Sequence, residues 1–107
     1  MAEVFKALSD PTRLKIISLM TSSKNLCVNV IAERIGMSQP AISQHLKILK
    51  NAGIFDAQKI GSHVHYSINK KKITEYKNYF NNLFQEKPEH NCTESECPEN
   101  IRKKKKT

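Results

Sequence analysis

At 107 residues and 12.3 kDa the chain has room for one small hydrophobic core and not for two. Its 38% apolar and 26% charged residues fit a folded domain rather than a disordered chain, and 18 Lys and Arg against 10 Asp and Glu give +8, which favours an acidic partner such as nucleic acid. No apolar run approaches the roughly 20 residues of a membrane span and no secretory signal pattern opens the chain, so no membrane partner and a cytoplasmic location are expected.

In chain order, Val4, Phe5 and Leu8 mark a short first helix that stops at Ser9-Asp10-Pro11, where a capping side chain precedes a proline suited to a first turn. Leu14, Ile17 and Met20, with Ile16 and Leu19 beside them, predict a largely buried second helix. After a polar break at 21–25, Val28, Ile31, Ala32 and Ile35 repeat at helical spacing up to Gly36. Ser38 can cap a further helix with Pro40 in its first turn and Ile42, Leu46 and Leu49 as its buried stripe, followed by Gly53. The period then changes. Phe55 to Lys59 and His63 to Ile68 flank Ile60-Gly61-Ser62, the pattern of a two-stranded hairpin. Ile73, Tyr76, Phe80, Leu83 and Phe84 line one face of a last helix from about Lys70 to Gln85, with so little to pack against that a dimer seam is expected. The fold class is mainly α with a small β-hairpin: a domain over 1–87 and a flexible tail over 88–107 that holds two cysteines and a lysine run.

Two helices joined by a tight turn at Gly36 read as a helix-turn-helix, and the hairpin after them as its wing. At about 100° per residue, Pro40, Ser43, Gln44 and Lys47 fall opposite the apolar stripe, with Ser38 and Gln39 at the leading tip. Such side chains suit base edges and phosphates of a major groove, and Lys59, Ser62 and His63 suit flanking phosphates. Double-stranded operator DNA is thus the expected partner. The charge agrees: residues 1–85 hold 12 basic and 5 acidic side chains, whereas 86–107 hold 6 and 5, so Lys103 to Lys106 are nearly cancelled by nearby glutamates. No nucleophile–base pair, phosphate-cradling glycine loop or carboxylate dyad is discernible, so an enzyme is not expected.

Ala7-Leu8-Ser9-Asp10-Pro11-Thr12-Arg13-Leu14, the run from Ile35 through Gln39, Gln44 and His45 to Leu46, and Gly61-Ser62-His63-Val64-His65-Tyr66 resemble the ArsR/SmtB repressors over roughly residues 3–85. The resemblance implies a winged helix-turn-helix homodimer joined through its first and last helices, with His45 among the DNA-binding residues. It also implies release from the operator when an inducer binds, often a metal or metalloid ion. Arsenic sensors of the family often carry C-V-C-D-L, where this chain has Cys27-Val28-Asn29-Val30-Ile31 and keeps only the first thiol. The last-helix positions that hold zinc or cobalt in other members are here Lys70, Lys72, Leu83 and Glu86, which form no such site.

Three cysteines are too few for a secreted disulfide framework. Cys27, Cys92 and Cys97, with the tail folding back onto its own or a partner subunit, would supply three thiolates for As(III), Sb(III) or Cd(II). The same atoms allow a redox switch, a packing role for Cys27 with incidental tail thiols, or a cytoplasmic metal- or thiol-handling protein without a regulatory role. His90 is a candidate additional ligand, and His63 with His65 are weaker candidates, read as exposed wing residues.

Overall fold

The computed structural model describes residues 1–86 and 91–97. Among these residues five helices and three strands follow one another: α1 (Ala2–Ala7), α2 (Pro11–Thr21), β1 (Leu26–Cys27), α3 (Val28–Ile35), α4 (Gln39–Asn51), β2 (Phe55–Ile60), β3 (His63–Ile68) and α5 (Lys70–Leu83), with one 3-10 turn at Glu94–Glu96.

Local chemistry sets most boundaries. Asp10 caps α2 by accepting the Arg13 amide at 3.0 Å, and Pro11 fills the first helical position. Gly36 closes α3 in the left-handed region at φ 82° with its amide on the Ala32 carbonyl, and Ser38 caps α4 three residues before the Ala41 amide it binds at 3.3 Å. Asn69 caps α5 through the Lys72 amide at 2.9 Å, while its own amide group donates to Asp56 Oδ1 at 3.1 Å, tying the start of β2 to the start of α5.

The buried side chains form one cluster. Ile16 and Met20 of α2, Ile31 of α3, and Ile42, Leu46 and Leu49 of α4 meet Ile54 and Phe55, and Val4 and Ala7 of α1 close it on one side. Each large apolar side chain so buried contributes roughly 1.5–3 kcal/mol. Leu14, expected inside α2's packing, is instead 48% exposed. At 11 residues α2 turns its periphery outward, and Ile16 and Met20 take the core positions.

The expected two-stranded hairpin is part of a three-stranded antiparallel sheet in the order β1-β3-β2. Leu26 lies opposite Tyr66 and Cys27 opposite His65, while Phe55 to Ile60 pair with Ile68 to His63. A two-residue strand leaves no periodic signature, which is why β1 is invisible to pattern reading. Tyr66 and Ile68 pack on the core, whereas Val64 and Ile60 stand out towards the wing tip at 39% and 47% exposure. The wing projects past the body that would cover them.

Gly53 sits at φ 80°, and a Cβ there would lie 2.6 Å from the Tyr76 hydroxyl, which donates to the Ala52 carbonyl at 2.7 Å. Gly53→Ala is therefore expected to destabilise the domain by about 1–3 kcal/mol through left-handed strain and displacement of Tyr76. A denaturant midpoint unchanged from the parent would contradict it.

Candidate nucleic-acid interface

The turn between α3 and α4 leaves the amino end of α4 at the surface. Gln39, Pro40, Gln44 and Lys47 are exposed and Ser43 is half-buried, on the side opposite the buried Ile42, Leu46 and Leu49. Ser38 is exposed, but its hydroxyl is engaged as the cap. The wing residues Lys59, Ser62 and His63 are all exposed. A cleft of about 290 Å³ joins the two parts: Gln39 and Ser43 of α4 line it with Ser62 and His63 of the wing, and Cys27 and Asn29 at the start of α3 close it. The tip of one helix and the tip of one hairpin thus share one concavity, which residue spacing alone treats as two separate features.

His45 lies elsewhere. Its ring is half-buried and its Nδ1 stands 3.2 Å from Arg13 Nη1 and 3.9 Å from Asp10 Oδ2, so it faces the α1–α2 elbow rather than the outer surface of α4. The helical wheel carried the signal: His45 is three residues after Ile42 and four before Leu49, on the flank of the buried stripe. Arg13, to which sequence patterns assign no role, is the hub of this corner. Its Nε donates to the Ala7 carbonyl at 2.7 Å and its Nη2 to the Lys6 carbonyl at 3.4 Å. The Asp10 carboxyl is held below the usual carboxylate range, chiefly by the hydrogen bond from the Arg13 amide and further by the nearby Arg13 and His45. It therefore stays ionised throughout the neutral range.

The thiols are distributed in two places. Cys27 is half-buried at the cap of α3. Cys92 and Cys97 lie in the described segment 91–97 with their sulfurs 2.9 Å apart. Among the described residues no group of three or more His, Cys, Asp and Glu is placed to hold a metal ion. The chain by itself thus does not gather Cys27, Cys92 and Cys97 into one ligand set. His65 Nδ1 lies 3.1 Å from Asn25 Oδ1, an anchor not foreseen for a wing histidine. Positions 87–90 and 98–107, which include Pro88, His90 and the run Lys103 to Lys106, lie outside the described residues. No helix among the described residues is long and apolar enough to cross a membrane.

Comparison with known proteins decides the lineage of this arrangement. The model of the bacterial regulatory proteins of the arsR family matches residues 10–56. An uncharacterized HTH-type transcriptional regulator of Methanocaldococcus jannaschii, MJ1325, is 45% identical over 69% of this chain and 83% of its own length. The chain belongs to the ArsR family. Another relative, a homolog of the cadmium resistance transcriptional regulatory protein CadC from Staphylococcus aureus, is 43% identical over 67% of this chain and 60% of its own length. Among solved structures, the homodimeric winged helix-turn-helix domain of Mb0332 from Mycobacterium bovis, a possible ArsR-family transcriptional regulator, superposes with a TM-score of 0.61 at 26% identity, covering 83% of this chain and 86% of that one. The ArsR-family assignment and the winged-helix fold are those of DNA-binding transcriptional regulators, not of enzymes.

Proposed function

We propose that this ArsR-family member is a homodimeric repressor that binds operator DNA with α4 in the major groove and the wing on flanking backbone, and that a thiophilic metal or metalloid ion releases it. The observation that carries the DNA reading is the shared cleft of Gln39, Ser43, Ser62 and His63, with Gln44 and Lys47 exposed on the same helix. Ser38, Gln39, Pro40, Ser43, Gln44 and Lys47 face the groove, and Lys59, Ser62 and His63 meet phosphates. Gel shifts with DNA from upstream of its own gene test this reading. Gln44→Ala should cost about 1–3 kcal/mol of preference for operator over unrelated DNA. Lys59→Ala should weaken binding to both and flatten the salt dependence by about one unit of slope. Equal loss of all DNA binding in Gln44→Ala would remove it from base reading.

Dimerisation is supported by an apolar face left on α1 and α5. Phe5 packs on Phe80 and Phe80 on Phe84, with ring centroids 6.4 and 5.2 Å apart, yet α5 buries no residue completely. Two helices lining a groove of about 370 Å³ suit a second copy, and the similar Mb0332 domain is homodimeric.

For the inducer, the donor set fits a soft ion: Cys92 and Cys97 offer two adjacent sulfurs, and Cys27 would add the third as the segment 91–97 approaches α3 of its own or the partner subunit. The CadC homolog, named for cadmium resistance, lends support to a thiophilic ion such as Cd(II), As(III) or Sb(III). Because Cys27 borders the cleft of Gln39 and Ser43, ligation there would disturb the DNA-reading tip directly. Thiolate absorbance on titration with As(III), Cd(II) and Zn(II) should appear with the parent and be lost or reduced by at least one sulfur in Cys27→Ser. A variant with unchanged stoichiometry and unchanged operator release would exclude Cys27 from the site. The 2.9 Å approach of Cys92 and Cys97 also favours a second reading, in which the pair loses two protons and two electrons to an oxidant such as a peroxide and closes a disulfide. Operator release by peroxide without added metal would select it.

A further inference from the structure

Arg13 and His45 are 32 residues apart in sequence and meet where α1 ends. Two arms of the guanidinium are committed to α1, through the carbonyls of Ala7 and Lys6, so the group is fixed to the end of that helix. Its third arm reaches the imidazole of α4. A guanidinium has donors only, so the 3.2 Å approach of Nη1 requires a lone pair on Nδ1 and leaves the ring's single proton on Nε2. Asp10 Oδ2 stands 3.9 Å from the same Nδ1. That nitrogen has two mutually exclusive partners: neutral, it accepts from Arg13; protonated, it is repelled by Arg13 and drawn to the Asp10 carboxylate.

We propose that Arg13 and His45 form a latch that sets the angle of the DNA-reading helix against α1, and that protonation of His45 opens it. The proposal rests on α4 being the reading element and makes His45 a positioning residue instead of the DNA contact its motif suggests. A helix with its side chains has a radius of roughly 5–6 Å, so a turn of about 20° about its axis moves a side-chain tip by about 2 Å. A hydrogen bond to a base edge does not survive that displacement. The apolar stripe of α4 restrains tilt and depth, but rotation about the axis is best resisted by a directional bond at the flank of the stripe, where His45 sits. The latch also joins the reading helix to α1, whose Phe5 belongs to the aromatic face proposed for the dimer seam.

The charged groups against the ring are few. From α2 and its cap come Arg13 and Asp10. The α1 side chains Glu3 and Lys6 are exposed, as are Glu33 and Arg34 of α3, and none of the four bonds to the ring. On β2, Lys59 is exposed and Asp56 is engaged by Asn69. On α4 itself, Lys47 and Lys50 are exposed.

The test compares the full chain with His45→Ala, His45→Asn, Arg13→Ala and the double Ala variant. Dissociation constants are measured on the upstream duplex and on unrelated DNA at pH 7.5 and 5.5, with circular dichroism and sedimentation as checks of fold and dimer. Asparagine offers Oδ1 where histidine offers Nδ1 and does not titrate, so His45→Asn should bind the operator within about threefold of the parent at pH 7.5. His45→Ala and Arg13→Ala should each lose about tenfold on the operator, and the double variant no more than either. On lowering the pH to 5.5 the parent should fall about tenfold relative to His45→Asn, because a proton on Nδ1 removes the lone pair that accepts from Arg13. The other histidines are common to both proteins, and their protonation would strengthen rather than weaken attraction to phosphate. Parent-like operator binding by His45→Ala, or a pH profile unaltered in His45→Asn, overturns the latch. Failure of the parent itself to prefer the upstream duplex overturns the operator reading instead. In that event imidazole 15N shifts of the free protein decide the latch: a lone pair on Nδ1 that is lost as a bonded acceptor in Arg13→Ala keeps it, and the opposite tautomer removes it.

Discussion

Phe80→Asp is expected to yield a folded monomer that binds the operator at least about a hundredfold more weakly than the parent. Phe80 is 49% exposed and lies between Phe5 of α1 and Phe84 just past the end of α5, so it contributes little to the core of its own chain. In a dimer the same ring would be covered, and an aspartate there would bury an unpaired carboxylate on each side of the seam. Two reading heads held one helical turn apart bind the second half-site at an effective concentration near millimolar, an advantage a monomer forfeits. Sedimentation velocity and gel shifts check both parts. A Phe80→Asp protein that remains dimeric would place the seam elsewhere.

Adjacent residues of α4 should give opposite results. Leu46 is completely buried among the core side chains, and Leu46→Ala should destabilise the domain by about 2–5 kcal/mol. That is a large share of the roughly 5–15 kcal/mol that keeps a small domain folded. Lys47 is exposed, so Lys47→Ala should leave stability within about 0.5 kcal/mol while weakening all DNA binding and reducing the salt slope by about one. Urea melts and salt-dependent gel shifts separate the two. Comparable loss of stability in both variants would mean that α4 turns a different face to the core.

The contrast between Leu46 and Lys47 is legible without coordinates, because α4 carries one periodic apolar stripe, with Leu46 in it and Lys47 on the opposite side. The same holds for the capping of α2 by Asp10 and of α4 by Ser38, and for the glycine that ends α3: each depends on residues three or four positions apart. Those signals suffice for the helix-turn-helix, the wing and the exposed Gln39, Gln44 and Lys47. They do not reach β1, which exists only because Leu26 and Cys27 pair with residues 40 and 38 positions later in the chain, Tyr66 and His65. A strand of two residues has no period to read.

His45 marks the boundary between the two kinds of knowledge. Spacing puts it on the flank of α4's apolar stripe, and a polar residue on a flank can turn to solvent, to DNA or inward. What chooses among these is where α1 ends and which of its carbonyls have already immobilised Arg13. The position of one helix end relative to another helix's flank is the sum of every packing contact between them, and no local pattern encodes it. The cysteines show the same division. Their number and softness specify the class of ion they suit, but Cys27 lies beside the amino end of α4 while Cys92 and Cys97 form a separate pair, a distribution set by the tertiary fold. Length, charge and periodicity determined a small basic winged helix with an unsatisfied aromatic face. Chain packing decided which polar side chains of α4 stand exposed and which turn to the α1–α2 elbow, because those partners are fixed by contacts distant in sequence.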